Sequence, residues 1–248
     1  MPRVSVIIPA YNAEEHIEQA LRSVESQTYD DWEIVVCDDC STDRTVEFAH
    51  VRTEANSGPA VARNLAIAHS SGELLAFLDT DDYWLPTYLE RLVALHDSSD
   101  TDVEIVACNA AILQEERLRS DTHMDVVRFP AKVTLPRLLQ ANPFVSVIAP
   151  RRVVDEVGGF CPELIRAQDF DLWIRIVEAG YRIVATREVL AVRRLHRQSW
   201  SSNLPAMARY GQLTYRRALE RGHLSRREER IARQRPSPPA PHRADRVA

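Results

Sequence analysis

The sequence predicts an α/β fold, a doubly wound and mostly parallel sheet of Rossmann-like type, and three observations carry that expectation. Strand-like and helix-like patterns alternate three times within the first 80 residues, the order that places parallel strands between helices on both faces. The strands read as near-continuous apolar runs, as strands covered on both faces do. Polar or acidic residues then stand where those strands end, and open α/β sheets gather ligands at the carboxyl ends of their strands.

The elements follow in order. Val4-Ser5-Val6-Ile7-Ile8 is a strand stopped by Pro9, and Glu14 to Ser26 repeats Ile17, Ala20, Leu21 and Val24 at helical spacing. Trp32 to Cys37 is a second strand ending in Asp38-Asp39, after which Ser41-Thr42-Asp43 reads as a helix N-cap for Arg44 to His50. A short strand falls around Val51-Arg52-Thr53, followed by the loop Asn56-Ser57-Gly58. Pro59 suits a first helical turn, and Ala60 to His69 carries Val61, Leu65 and Ala68 on one face until Ser70-Ser71-Gly72 closes the helix. Leu74-Leu75-Ala76-Phe77-Leu78 is a buried strand.

The second half is less regular. Val103 to Leu113 reads as a strand, 115–135 as an irregular stretch, and Phe144 to Ala149 as a strand before Pro150. Gly158-Gly159-Phe160 is a turn with close backbone approach, and Asp171 to Ala179 is an amphipathic helix ended by Gly180. Arg182 to Val192 makes one or two strands, and a basic helix runs from Ala206 to about Gln234. The tail 235–248, with four Pro between 236 and 241, is expected to be disordered.

The buried strand 74–78 ends in Asp79-Thr80-Asp81-Asp82, three carboxylates within four positions. Clustered negative charge at the end of a buried strand costs repulsion and desolvation. The usual relief is a hard divalent cation with oxygen ligands, Mg²⁺ or Mn²⁺, itself holding a phosphate-bearing substrate. The competing reading is an acidic turn in which Asp81 or Asp82 caps the segment Tyr83 to His96. Pro9-Ala10-Tyr11-Asn12 and Asp38-Asp39 end strands on the same expected edge. No glycine-rich phosphate loop is present, so a diphosphate would need a metal and basic side chains. Arg63 is a candidate, and a surface ion pair is its bland alternative.

Bulk properties bound the rest. A chain of 248 residues with 45% hydrophobic composition can bury a sizeable core. No apolar run is long enough to span a membrane, and Met1-Pro2-Arg3 offers no signal peptide, so the cytoplasm is the expected compartment. Cys37 and Cys40 form a Cys-x-x-Cys, but the Asp pair between them disfavours a thiolate, and Cys108 and Cys161 complete no zinc site. Residues 181–248 hold 16 Arg against 5 acidic residues, net +11, whereas residues 1–180 are net −16. The basic C-terminal arm reads as a solvated helix or as a peripheral contact with the inner face of a membrane.

With these residues in view, the chain resembles the family 2 glycosyltransferases of GT-A fold. The match is carried by Val4 to Asn12, Gln27-Thr28, and Asp38-Asp39 with Ser41, Asp43 and Thr45. It continues through Asn56, Gly58, Ala62-Arg63-Asn64 and Asp79 to Asp82. The second half adds Gly158-Gly159-Phe160, Asp169, Leu172-Trp173, and Arg194 with His196, so coverage runs from about 3 to about 200. No motif alone is decisive, but their order and spacing are.

The resemblance implies a domain of this type over 1–204, while charge and composition give a basic helical arm 205–234 and the tail 235–248. It implies that Asp39 hydrogen-bonds a nucleotide base (UDP, dTDP or GDP) between Pro9 and Tyr11, with Asp79 near the ribose and metal. Asp81, Asp79 and His196 would hold Mg²⁺ or Mn²⁺, Asp169 would be the catalytic base, and Trp173 would wall a sugar site. One base without a nucleophile means direct displacement with inversion. Gln168 stands where the family often has Glu. The chain lacks the Gln-x-x-Arg-Trp of processive synthases, so a single transfer is expected, to a glycan, lipid-linked glycan or small-molecule acceptor and with no role for nucleic acid. The alternatives are a sugar nucleotidyltransferase of related fold and a non-catalytic nucleotide-sugar-binding protein.

Overall fold

The computed structural model describes residues 1–98, 104–127, 133–141, 146–196 and 203–234. The expected tail 235–248 and residue Phe144 lie outside these. The first half comprises β1 (Val4–Ala10), α1 (Ile17–Glu25), β2 (Trp32–Asp38), a 3-10 turn (Arg44–Phe48), β3 (Val51–Arg52), α2 (Pro59–Ala68) and β4 (Leu74–Phe77). Then come β5 (Tyr83–Trp84), α3 (Tyr88–Asp97), β6 (Glu104–Gln114), β7 (Arg117–Thr122), α4 (His123–Val127) and α5 (Leu135–Leu138). The chain continues through β8 (Val147–Pro150), α6 (Arg151–Glu156), α7 (Gln168–Glu178), β9 (Arg182–Leu195), α8 (Leu204–Arg221) and α9 (Arg226–Gln234).

One sheet has the order β3-β2-β1-β4-β8-β6-β9-β5, with β7 paired to β6. Strands β3, β2, β1 and β4 run parallel, as does the pair β6 and β9, whereas β8, β5 and β7 pair antiparallel. The period-two alternation of each strand divides the core. Ile7, Val35, Leu75 and Phe77 face α2, α7 and α8, while Val6, Ile8, Val36 and Ala76 face α1 and α3. Register aligns Ala10 with Asp38 and Ile7 with Phe77, so β1, β2 and β4 all deliver their next residues to one edge.

Three expectations change. The acid loop caps no helix: a short strand intervenes, and α3 begins at Tyr88 after Thr87. The stretch 115–135 contains an ordered hairpin strand and α4. The long basic helix is two helices, because Gly222 takes a left-handed φ of 72° that ends α8. Ser225 and Glu228 then form a reciprocal cap, Ser225 N donating to the Glu228 carboxylate at 2.8 Å and Glu228 N donating to Ser225 Oγ at 3.4 Å. These helices pack on the body: Tyr215, Ala218, Leu224 and Ala232 are buried in the α2–α7 core. The Tyr215 hydroxyl donates to Leu139 O at 2.9 Å, and its ring meets Phe170 edge-on at 5.6 Å. Charge alone hid that apolar stripe in the sequence.

All four cysteines are free. Burial, with the carboxylates of Asp39 and Asp38, pushes the Cys37 thiol up to about 12, which disfavours its thiolate.

Candidate active site

The parallel edge builds the site in layers. After β1, Pro9 is half-buried and Tyr11 is 43% exposed, at the rim. Asn12, at a left-handed φ of 46°, donates its amide to Ser41 Oγ at 2.9 Å and accepts from Thr42 N at 2.9 Å. That exchange ties the β1 loop to the β2 loop. Asp38 is fully buried and orients its loop, accepting from Ser41 N at 3.1 Å and pairing with Arg52 Nε at 2.9 Å. Asp39 is also buried, and its carboxylate accepts from Thr53 Oγ1 at 2.8 Å, Ser57 N at 2.9 Å and Gly58 N at 2.7 Å. Such a carboxylate is held rigidly and keeps one lone pair for a ligand donor.

Arg63, on α2, is buried at 7% exposure, so it is no surface residue. One of its guanidinium nitrogens pairs with Asp79, and its guanidinium carbon lies 5.3 Å from the centre of the Phe160 ring. Its Nη1 is buried without a hydrogen-bond partner. An unmatched buried donor costs desolvation that a bound ligand can relieve.

Asp79, Asp81 and Asp82 each offer a carboxylate oxygen, and these lie within 4.8 Å of one another. At an effective dielectric of 20, two charges at that distance repel by roughly 3 kcal/mol, less where solvent reaches Asp79. Arg63 offsets the charge of Asp79. Burial, then the neighbouring Asp81 and Asp79, pushes the Asp82 carboxyl well above the usual carboxylate range, while an amide hydrogen bond from Arg194 at 2.9 Å opposes this. His196 Nε2 stands 3.2 Å from Asp81 Oδ2, and its ring meets His16 edge-on at 5.5 Å. The donor set of carboxylate oxygens and one imidazole nitrogen fits Mg²⁺ or Mn²⁺.

Asp169 lies half-buried in the first turn of α7. It does not cap the helix, because the N-cap is Ala167, held at a left-handed φ of 55°. Asp171, the neighbouring carboxylate, is fully buried and bonded to Arg175 Nε at 2.7 Å and to Arg221 Nη1 at 3.3 Å. It is therefore closed off as a proton acceptor. Trp173 needs correcting. Its ring is 3% exposed and packs edge-on against Phe77 at 6.1 Å, so it belongs to the core and walls no sugar site. The helix is buried over most of its circumference, which its regular amphipathic pattern understated.

Sequence reasoning gave two arginines no role. Arg194, buried at the end of β9, donates to Asp81 O at 3.3 Å and Gln19 Oε1 at 2.7 Å and pairs with Glu116. It thus fastens the acid loop to α1 and to the β6–β7 hairpin. Its place in the Arg194-x-His196 motif was the available signal. Arg175 had no such signal.

A parallel half-sheet that ends in an acid loop, joined to a mixed half-sheet, defines the GT-A class of glycosyltransferase fold. The chain belongs to glycosyl transferase family 2, whose model matches residues 5–158, and it is a glycosyltransferase. It is 30% identical over 235 residues to TuaG of Bacillus subtilis, a glycosyltransferase named for teichuronic acid biosynthesis, covering 90% of each chain. It is 31% identical over 214 residues to Escherichia coli WfgD, a UDP-Glc:alpha-D-GlcNAc-diphosphoundecaprenol beta-1,3-glucosyltransferase, covering 81% of this chain and 80% of that one. Among solved structures, S. aureus TarS in complex with UDP-GlcNAc superimposes with TM-score 0.74 at 22% identity, over 93% of this chain and 70% of that one. The chain spans 39% of the longer TarS structure, at TM-score 0.67 and 23% identity. The Pyrobaculum calidifontis mannosyltransferase PcManGT with GDP-Man and Mn²⁺ gives TM-score 0.69 at 23% identity, over 94% and 68%.

Proposed function

We propose that the protein transfers a single hexose, with inversion, from a nucleotide-diphosphate sugar to a glycan, lipid-linked glycan or small-molecule acceptor. The observation that carries this reading is the convergence of Asp39, the buried unmatched Nη1 of Arg63 and the Asp79–Asp82 cluster on one sheet edge. Asp39 accepts from the base, with Pro9 and Tyr11 beside it. Arg63 donates to the nucleotide while holding Asp79. A divalent cation held by Asp79, Asp81 and His196 would supply charge neutralisation for the departing diphosphate. Asp169 takes the proton of the attacking hydroxyl on the face opposite the leaving group.

The names of TuaG and WfgD support a glycan or lipid-linked acceptor. The exposed Arg209, Arg216, Arg226, Arg227, Arg230 and Arg233 of the 205–234 region support a peripheral contact with the anionic inner face of a membrane. A thermal-shift series with UDP, GDP and dTDP, with and without Mn²⁺, tests the donor reading. The cognate nucleotide stabilises only with metal, and a chain indifferent to all three with Mn²⁺ refutes it.

A further inference from the structure

An unbroken set of contacts runs from the C-terminal helices to the acid loop. On α8, Arg221 Nη1 lies 3.3 Å and Arg217 Nε 3.7 Å from Asp171 Oδ1. The other oxygen of Asp171 accepts from Arg175 Nε at 2.7 Å. The remaining nitrogens of Arg175 leave the helix, donating to Val157 O at 2.5 Å and Gly159 O at 2.7 Å. Asn64 clasps the next residue of that turn, accepting from Phe160 N at 2.9 Å and donating to Phe160 O at 2.7 Å. Gly159 has φ 67°, and a Cβ there would stand 2.8 Å from Asn64 Oδ1, so the turn is seated directly on α2. The Phe160 ring carries Arg63, and Arg63 pairs with Asp79.

We propose that Arg175 is a positioning residue for sugar transfer, seating the first turn of α7, which carries Asp169, against the Gly158–Phe160 turn, and that α8 completes this seat through Arg217 and Arg221. The inference rests on Asp169 as base. Three features favour positioning over simple adhesion. The Arg175 fork is spent on two backbone carbonyls of the turn, a geometry that a lysine cannot reproduce. Asp171, which receives three arginines, lies two residues from Asp169 on the same turn of helix. Asp171 N also donates to Ala167 O at 3.1 Å, closing the strained entry of α7.

Arg175→Lys tests the proposal with the fold retained, since the ion pair with Asp171 survives while the carbonyl contacts are lost. Arg221→Met on the full chain is the second variant. Hydrogen exchange by mass spectrometry is read on peptides spanning 157–161 and 168–173, and Mn²⁺-dependent UDP and GDP affinity is read by calorimetry. Both variants are expected to lose protection at least about tenfold in those peptides, with β1, β2 and β4 unchanged and nucleotide affinity within twofold. Release of UDP from UDP-glucose or GDP from GDP-mannose is expected to fall by ~10- to ~100-fold in kcat with unchanged donor KM, the scale of a misplaced reacting group. Unchanged exchange at 168–173, or an equal loss throughout the chain, overturns the proposal. Arg175→Lys added to Asp169→Asn is expected to slow turnover no further, because it acts through that carboxylate. If Asp169→Asn alone turns over normally while the exchange result stands, the assignment of the base has failed and the seat of α7 has not.

Discussion

Asp169→Asn separates chemistry from folding, and the structure sets both magnitudes. The substitution keeps size and hydrogen-bonding capacity and removes the basic charge. Loss of a general base slows the chemical step by at least ~10²-fold, which corresponds to about 2.7 kcal/mol of transition-state stabilisation. The structural cost is far smaller. Asp169 is not the cap of α7, since Ala167 occupies that position, so what the helix itself loses is the interaction of that charge with its N-terminus. For a surface-near carboxylate that is about 0.3–1 kcal/mol. The neighbouring Asp171 cannot substitute, because Arg175, Arg221 and Arg217 enclose it. The assay pairs steady-state release of nucleoside diphosphate with calorimetric nucleotide binding and a melting curve. The expected outcome is a kcat reduced at least ~10²-fold, donor affinity nearly unchanged and stability within about 1 kcal/mol. Turnover close to that of the unmodified protein refutes the reasoning.

Asp81→Ala is expected to abolish transfer and make nucleotide affinity the same in EDTA and in Mn²⁺, measured by calorimetry, while leaving the melting curve intact. Trp173→Ala is expected to destabilise the fold by about 3–5 kcal/mol, because it empties a core site, whereas Trp173→Phe leaves donor KM unchanged in steady-state assays. Glu33 tests a pH dependence. Burial opposes its ionisation, but hydrogen bonds from Ser71 N, Ser5 Oγ, Ser71 Oγ and Gly72 N outweigh this and hold its carboxyl below the usual value. A lowered folded value means stability that is present above the unfolded pKa and lost as pH falls through the folded one. Glu33→Gln is therefore expected to cost about 1 kcal/mol near neutrality in urea titrations, and the difference from the unmodified protein should close below about pH 4.

What the sequence determined by itself was whatever depends on short-range pattern and residue chemistry. Alternating apolar runs and helical spacing suffice for β1, α1, β2, α2 and β4, because period and turn residues act over a few positions. The acids after β2 and β4 were legible as a site because their charge needs a reason wherever the strands end. Tertiary structure decided the roles that depend on closure of the chain. Arg63 reads as a surface helix residue until Phe160, 97 positions on, covers it. Arg194 meets Gln19 across a separation of 175 residues, so its grip on the acid loop has no local signature. Trp173 was expected at a sugar site because it follows Asp169 on the same helix, and only the packing of α7 between the sheet and α8 buries it. The C-terminal helices were read from their charge, which stays on the outside. Their narrow stripe of Tyr215, Ala218, Leu224 and Ala232 acquires meaning only against the surface it covers. A side chain's environment is set by what the whole chain brings to it, and that is where local pattern stops.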